Sequence, residues 1–167
     1  ADELYSIKAW SAGFFGVSKQ GQLTVSLKGS PAVALTSIVD ELLEEGHALP
    51  LVLRFPDILE DRLDRINDAF AAAIQEAGYQ NRYQGVYPIK VNQRRVVVET
   101  IASYGAKYRT GLEAGSKAEL ALCLAHETHD DALICCNGFK DDDFIRLALW
   151  GRKLGRNTII TLEKAGE

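Results

Sequence analysis

From residue 49 to residue 162 the chain alternates short apolar runs with stretches of helical periodicity, joined by brief links. That rhythm confines the fold to parallel-sheet architectures, because each strand–helix–strand unit crosses over right-handed and lays the next strand beside the last. Strands are expected at residues 49–55, 85–91, 107–112, 132–136 and 158–162, with helices at 57–77, 95–104, 117–125 and 142–154. The run at 49–55 is apolar on both faces, as a buried parallel strand must be. In the helix at 57–77, Leu59, Leu63, Ile66, Phe70, Ile74 and Ala77 form one stripe, which should cover a sheet face. Five strands suit a small doubly wound sheet or the first part of an eight-stranded (β/α)8 barrel, which typically needs about 250 residues. Either way the class is α/β.

The first residues follow a different pattern. Between residues 5 and 27, Phe15 and Val17, then Leu23, Val25 and Leu27, alternate with small or polar residues around Lys19-Gln20-Gly21, which reads as a hairpin. Residues 35–45 then show helical spacing that stops at Gly46. The hairpin fits neither parallel architecture, so residues 1–47 are expected to contribute to a separate β domain and residues 48–167 to the parallel one.

Composition removes several function classes. A formal charge of −4 and no basic run longer than Arg94-Arg95 leave no electrostatic footprint for nucleic acid or an anionic membrane. No apolar run reaches spanning length, and the first residues do not form a signal peptide. Methionine is absent throughout, so Ala1 is expected to be a trimmed end, which leaves room for a lost targeting segment. The three cysteines lie in apolar surroundings and read as reduced thiols in a reducing compartment, here taken as the cytoplasm.

Chemistry gathers where the expected strands end. In the strand at 85–91, period-two alternation sets Val86, Lys90 and Asn92 opposite Tyr87, Ile89 and Val91. If the second set meets the helices, Lys90 points to the other face near the C-terminal rim, where barrel enzymes place their reactions. A desolvated lysine there is a nucleophile toward an aldehyde; the competing reading is a lysine that snorkels to water. Glu113 emerges at the same rim, beside glycines that let backbone approach a ligand. Ser116 and Glu119 form a capping box that leaves Glu119 open to a second role, and Asn137 is a further polar rim group. Asp141, Asp142 and Asp143 cap and charge a helix start. His126 and His129 flank Glu127-Thr128 without a supporting ligand cluster, so they and His47 read as solvated, and no metal site is assigned. Nucleotide-binding glycine motifs are missing.

The stretch around Lys90 from Tyr83 to Gln93 resembles the cofactor-lysine segment of biosynthetic arginine decarboxylases. Gly111–Leu120, the run from Cys136 to Asp141, the run from Leu51 to Asp57 and the region around Trp10 resemble the same family in the same order. The resemblance implies an alanine-racemase-like barrel binding pyridoxal 5′-phosphate, with a β domain fed by the amino-terminal strands. It makes Lys90 the Schiff-base lysine, Glu113 an acidic neighbour and Glu119 a further active-site acid. The implied reaction converts L-arginine to agmatine and carbon dioxide for polyamine and spermidine synthesis, often with magnesium, in a homo-oligomer. Family members are several times longer, and their phosphate loop and substrate-selecting residues lie farther on. The chain is therefore expected to be an amino-terminal portion, inactive and poorly stable by itself. Competing readings are another amino-acid decarboxylase or racemase of this fold, and a pyridoxal-phosphate binder without turnover.

Overall fold

The computed structural model describes residues 3–27, 29–126 and 129–166. Ala1, Glu127 and Thr128, which figured in the sequence reading, lie outside the described residues. The chain forms two compact units, Ala1–Ile58 and Leu59–Glu167.

The first unit starts with a helical segment where β structure was expected. Ile7 and Ser11, four residues apart, both turn inward, so this stretch folds as α1 (Ile7–Ser11). Ser11 Oγ then donates to the carbonyl of Phe15 and leads into the hairpin. Strand β1 (Phe15–Val17) pairs antiparallel with β2 (Leu23–Val25), in register Phe15↔Val25 and Val17↔Leu23. Beyond the expected hairpin, β3 (Val33–Ala34) pairs with the free edge of β2 and runs straight into α2 (Leu35–Glu44).

Residues 49–55 are not a strand. Leu51, Leu53 and Phe55 are only half buried, while Leu49 and Val52 are exposed. An apolar run becomes a strand only where a neighbour supplies its hydrogen bonds, and that partner is not a local property. The parallel sheet consequently has four strands among the described residues, not five.

Those four are β4 (Val86–Pro88), β5 (Gly111–Ala114), β6 (Leu133–Cys136) and β7 (Asn157–Ile160), hydrogen-bonded in the order β4-β5-β6-β7. Helices α4 (Arg95–Gly105), α5 (Lys117–Ala125) and α6 (Asp142–Lys153) fill the crossovers. The strand order never reverses, which excludes the doubly wound alternative, whose sheet folds back at a switch point. Burial agrees. Leu112, Ala114, Ile134 and Cys136 join Val98 of α4, Leu120 and Cys123 of α5, and Phe144 and Ala148 of α6 in one core on a single face. Helices on one face and strands in sequential order are the geometry of a barrel wall.

Helix α3 (Pro56–Ala77) starts and stops where expected but does not bury its stripe: none of its residues is buried, and Ile66 and Phe70 are 45% and 47% exposed. Polar and aromatic contacts tie it down instead. Phe70 stacks flat on Tyr83 with centroids 3.8 Å apart. The Asp64 carboxylate accepts from Tyr104 (2.9 Å) and Tyr108 (2.7 Å) and pairs with Lys107 Nζ at 2.8 Å. No helix among the described residues is long and apolar enough to cross a membrane.

Two outcomes follow. A Cβ on Gly111 would lie 2.2 Å from the carbonyl oxygen of Leu133, so Gly111→Ala must spread β5 from β6 and should cost about 3 kcal/mol or more in chemical denaturation. The Asp64 carboxyl is held at about 2 instead of 3.8, chiefly by the hydrogen bonds from Lys107 and Tyr108 and against partial desolvation. A carboxyl lowered by folding stabilises the fold above its unfolded value and loses that contribution as pH falls through the folded one. From about pH 4 down to about pH 2, wild type should therefore lose denaturation midpoint faster than Asp64→Asn.

Candidate active site

Parallel pairing aligns Pro88 with Glu113 and Glu113 with Cys135 across three neighbouring strands. Because Leu112 and Ala114 are sealed in the helix-side core, alternation turns Glu113 to the opposite, open face. Its side chain is 21% exposed. Cys135 stands beside it, and burial together with the nearby Glu113 charge pushes its thiol pKa up, so it lines this face as a neutral group.

Strand β4 is shorter than expected. It ends at Pro88, and residues Ile89–Val91 form a 3-10 turn. Ile89 is fully buried and pins that turn to the core, and Tyr87 Oη donates to the carbonyl of Asn92 at 3.1 Å beyond it. Lys90 is exposed while Ile89 is buried, and Val91, expected to share the face of Ile89, is 68% exposed because the 3-10 turn has no two-residue alternation. The expected desolvation of Lys90 is not found: its side chain is 64% exposed. A turn lifts it off the sheet, and the contact recorded for its ammonium is Glu113 Oε1, 3.8 Å from Nζ.

Glu119 sits in the first turn of α5, after β5, and Asn137 on the loop after β6, and both are engaged with backbone. Ser116 Oγ accepts from Glu119 N at 3.3 Å and caps α5. Glu119 Oε2 in turn accepts from Gly115 N at 2.7 Å, one residue earlier than the usual capping box. Asn137 N donates to the Ala114 carbonyl at 2.8 Å, and Asn137 Oδ1 accepts from Gly138 N at 3.0 Å. The structure thus brings Lys90 and Glu113 together directly. Glu119, in the first turn of α5, and Asn137, on the loop after β6, stand at the neighbouring strand ends.

Asp141 caps α6 by accepting from Phe144 N at 2.9 Å and pairs with Lys117 at 2.6 Å. The Lys117 ammonium, followed by that amide, holds its carboxyl below the usual range. Lys140 and Glu163 were missed in the sequence. Lys140 is 6% exposed and donates to the carbonyl of Gly138, while Glu163 Oε1 accepts from Gly138 N at 2.9 Å. A lysine between an apolar run and a helix cap was a faint signal for the first; nothing local announced the second. His47 and His129 are exposed and His126 is half buried. Among the described residues no group of three or more His, Cys, Asp or Glu is placed to hold a metal ion.

An accessible primary amine with a carboxylate beside it, at the strand-end rim of a barrel wall, is a donor set that fits an aldehyde cofactor with a cationic ring. Comparison with known proteins points the same way. Residues 63–166 match the family model for the pyridoxal binding domain of pyridoxal-dependent decarboxylases, and the chain belongs to that family. It is 57% identical over its whole length to the biosynthetic arginine decarboxylase of Deinococcus radiodurans and 43% identical to arginine decarboxylase 1, chloroplastic, of Arabidopsis thaliana, covering 25% of each. The crystal structure of the biosynthetic arginine decarboxylase of Campylobacter jejuni superimposes with a TM-score of 0.89 at 36% identity, covering 97% of this chain and 27% of that one. The chain spans about a quarter of the length of these relatives.

Removing the α5 cap tests how firmly this rim is built. Ser116→Ala should cost about 1 kcal/mol in a urea titration.

Proposed function

We propose that this chain serves the decarboxylation of L-arginine to agmatine and carbon dioxide, with Lys90 as the residue that binds pyridoxal 5′-phosphate. The observation that carries the site is the Lys90–Glu113 pair, 3.8 Å apart on the open face of the sheet. Whole-chain identity to proteins named arginine decarboxylase supports the substrate.

In this reading Lys90 Nζ would hold the cofactor through its aldehyde carbon, with loss of water, and once displaced by the substrate amine it would be free to carry a proton at Nζ. Glu113 holds the ammonium form of Lys90 in place and presents negative charge to a cationic ring. Glu119, at the start of α5, and Asn137, on the loop after β6, stand as cofactor-side polar groups, and the neutral Cys135 thiol fills the wall next to Glu113. When bound, pyridoxal phosphate supplies the conjugated ring that takes up the electrons released as carbon dioxide leaves. Magnesium, which the resemblance implies, has no cluster of three or more His, Cys, Asp or Glu to hold it among the described residues, and no step is assigned to it. The reading includes a cytoplasmic homo-oligomer feeding polyamine synthesis. It also includes little turnover by these 167 residues without the remaining length found in the relatives.

The test uses the protein at its natural full length, loaded with pyridoxal phosphate. Borohydride reduction should fix the pyridoxyl group to a peptide containing Lys90, and Lys90→Ala should abolish that label and lower agmatine release by about a thousandfold. Glu113→Gln should keep the label and lower turnover by about a hundredfold. Label retained in Lys90→Ala, or preferred release of carbon dioxide from ornithine, lysine or diaminopimelate, refutes the site or the substrate respectively.

A further inference from the structure

The loop after β6 is held at both polar atoms of one residue. Gly138 N donates to Glu163 Oε1 at 2.9 Å and to Asn137 Oδ1 at 3.0 Å, and Gly138 O accepts from Lys140 Nζ. Gly138 has φ of +74°, and a Cβ there would lie 2.8 Å from the carbonyl oxygen of Gly115. It therefore rests against the loop after β5, where Gly115 N is held in turn by Glu119 Oε2 at 2.7 Å. Side chains from the segments that follow three consecutive strands thus converge on two touching glycines.

Glu119 completes a helix start, and Asp141 nearby does the same for α6. Glu163 follows β7 in a segment without helix or strand, yet reaches back to the loop after β6. Lys140 is buried to 6% exposure, and burying an ammonium is unfavourable unless local acceptors compensate it.

We propose that Glu163 and Lys140 are positioning residues for the cofactor side of the site. They fix the two faces of Gly138 so that Asn137 and, through Gly115, Glu119 stand ordered at the rim before anything binds. The inference rests on the pyridoxal-phosphate reading of that rim. Ordering a loop in advance removes a cost that binding would otherwise bear, so the effect belongs in cofactor affinity and not in turnover once the cofactor saturates.

Glu163 is exposed, so its replacement is compatible with folding. In the full-length protein, Glu163→Ala should weaken pyridoxal phosphate binding about fivefold, the worth of one hydrogen bond. It should leave kcat at saturating cofactor unchanged and speed amide exchange at Gly138 in the cofactor-free protein. Glu163→Gln keeps a carbonyl acceptor and should restore both readouts. Wild-type affinity in Glu163→Ala, or a Gln variant as impaired as the Ala variant, overturns the proposal. Failure of the cofactor reading looks different: Lys90→Ala would keep its borohydride label, while exchange at Gly138 would still report whether Glu163 holds the loop.

Discussion

The in-register parallel pairing of β5 between β4 and β6 is the constraint on which the rest depends. It sets Pro88, Glu113 and Cys135 level with one another. Alternation along β5 sends Leu112 and Ala114 into the helix-side core and leaves Glu113 facing outward. A slip of one residue would exchange those faces, burying a carboxylate among Leu120, Cys123 and Phe144 and exposing two apolar side chains. The core therefore enforces the register, and the register presents the acid to Lys90. Gly111 makes this possible at close range, because the backbone of Leu133 occupies the space a side chain would need.

Much of this was legible because it is local. Helix α5 starts at a Ser116 cap and α6 at an Asp141 cap, each written in one side chain that satisfies an orphan amide. The separation of Lys90 from Ile89 is also a near-neighbour property: it survives even though the backbone there is a 3-10 turn and not a strand. What failed depended on distant partners. Residues 49–55 have the composition of a strand, but composition does not supply a hydrogen-bonding neighbour. The stripe of α3 has the right periodicity, yet what lies against a stripe is decided by the rest of the fold. Glu163 reaches Gly138 across 25 residues of sequence, a distance over which no motif is written.

Electrostatics divides between the two ends of the sheet. At the strand starts, Asp64 collects two phenols and an ammonium and anchors a helix that hydrophobic burial leaves loose. At the strand ends, charges are spent on shaping loops: Lys117 on Asp141, Glu119 on Gly115, Lys140 and Glu163 on Gly138. Lys90 and Glu113 differ in pairing with one another on the open face and not with a loop backbone.

The strictly sequential order β4-β5-β6-β7 also bears on how such a chain acquires its shape. Each strand's partner is the one made just before it, so every ladder closes a loop of only one helix and its links. A single crossover is the shortest connection that a parallel pairing allows. The wall can be assembled strand by strand as the polypeptide leaves the ribosome, each completed edge serving as the template for the next.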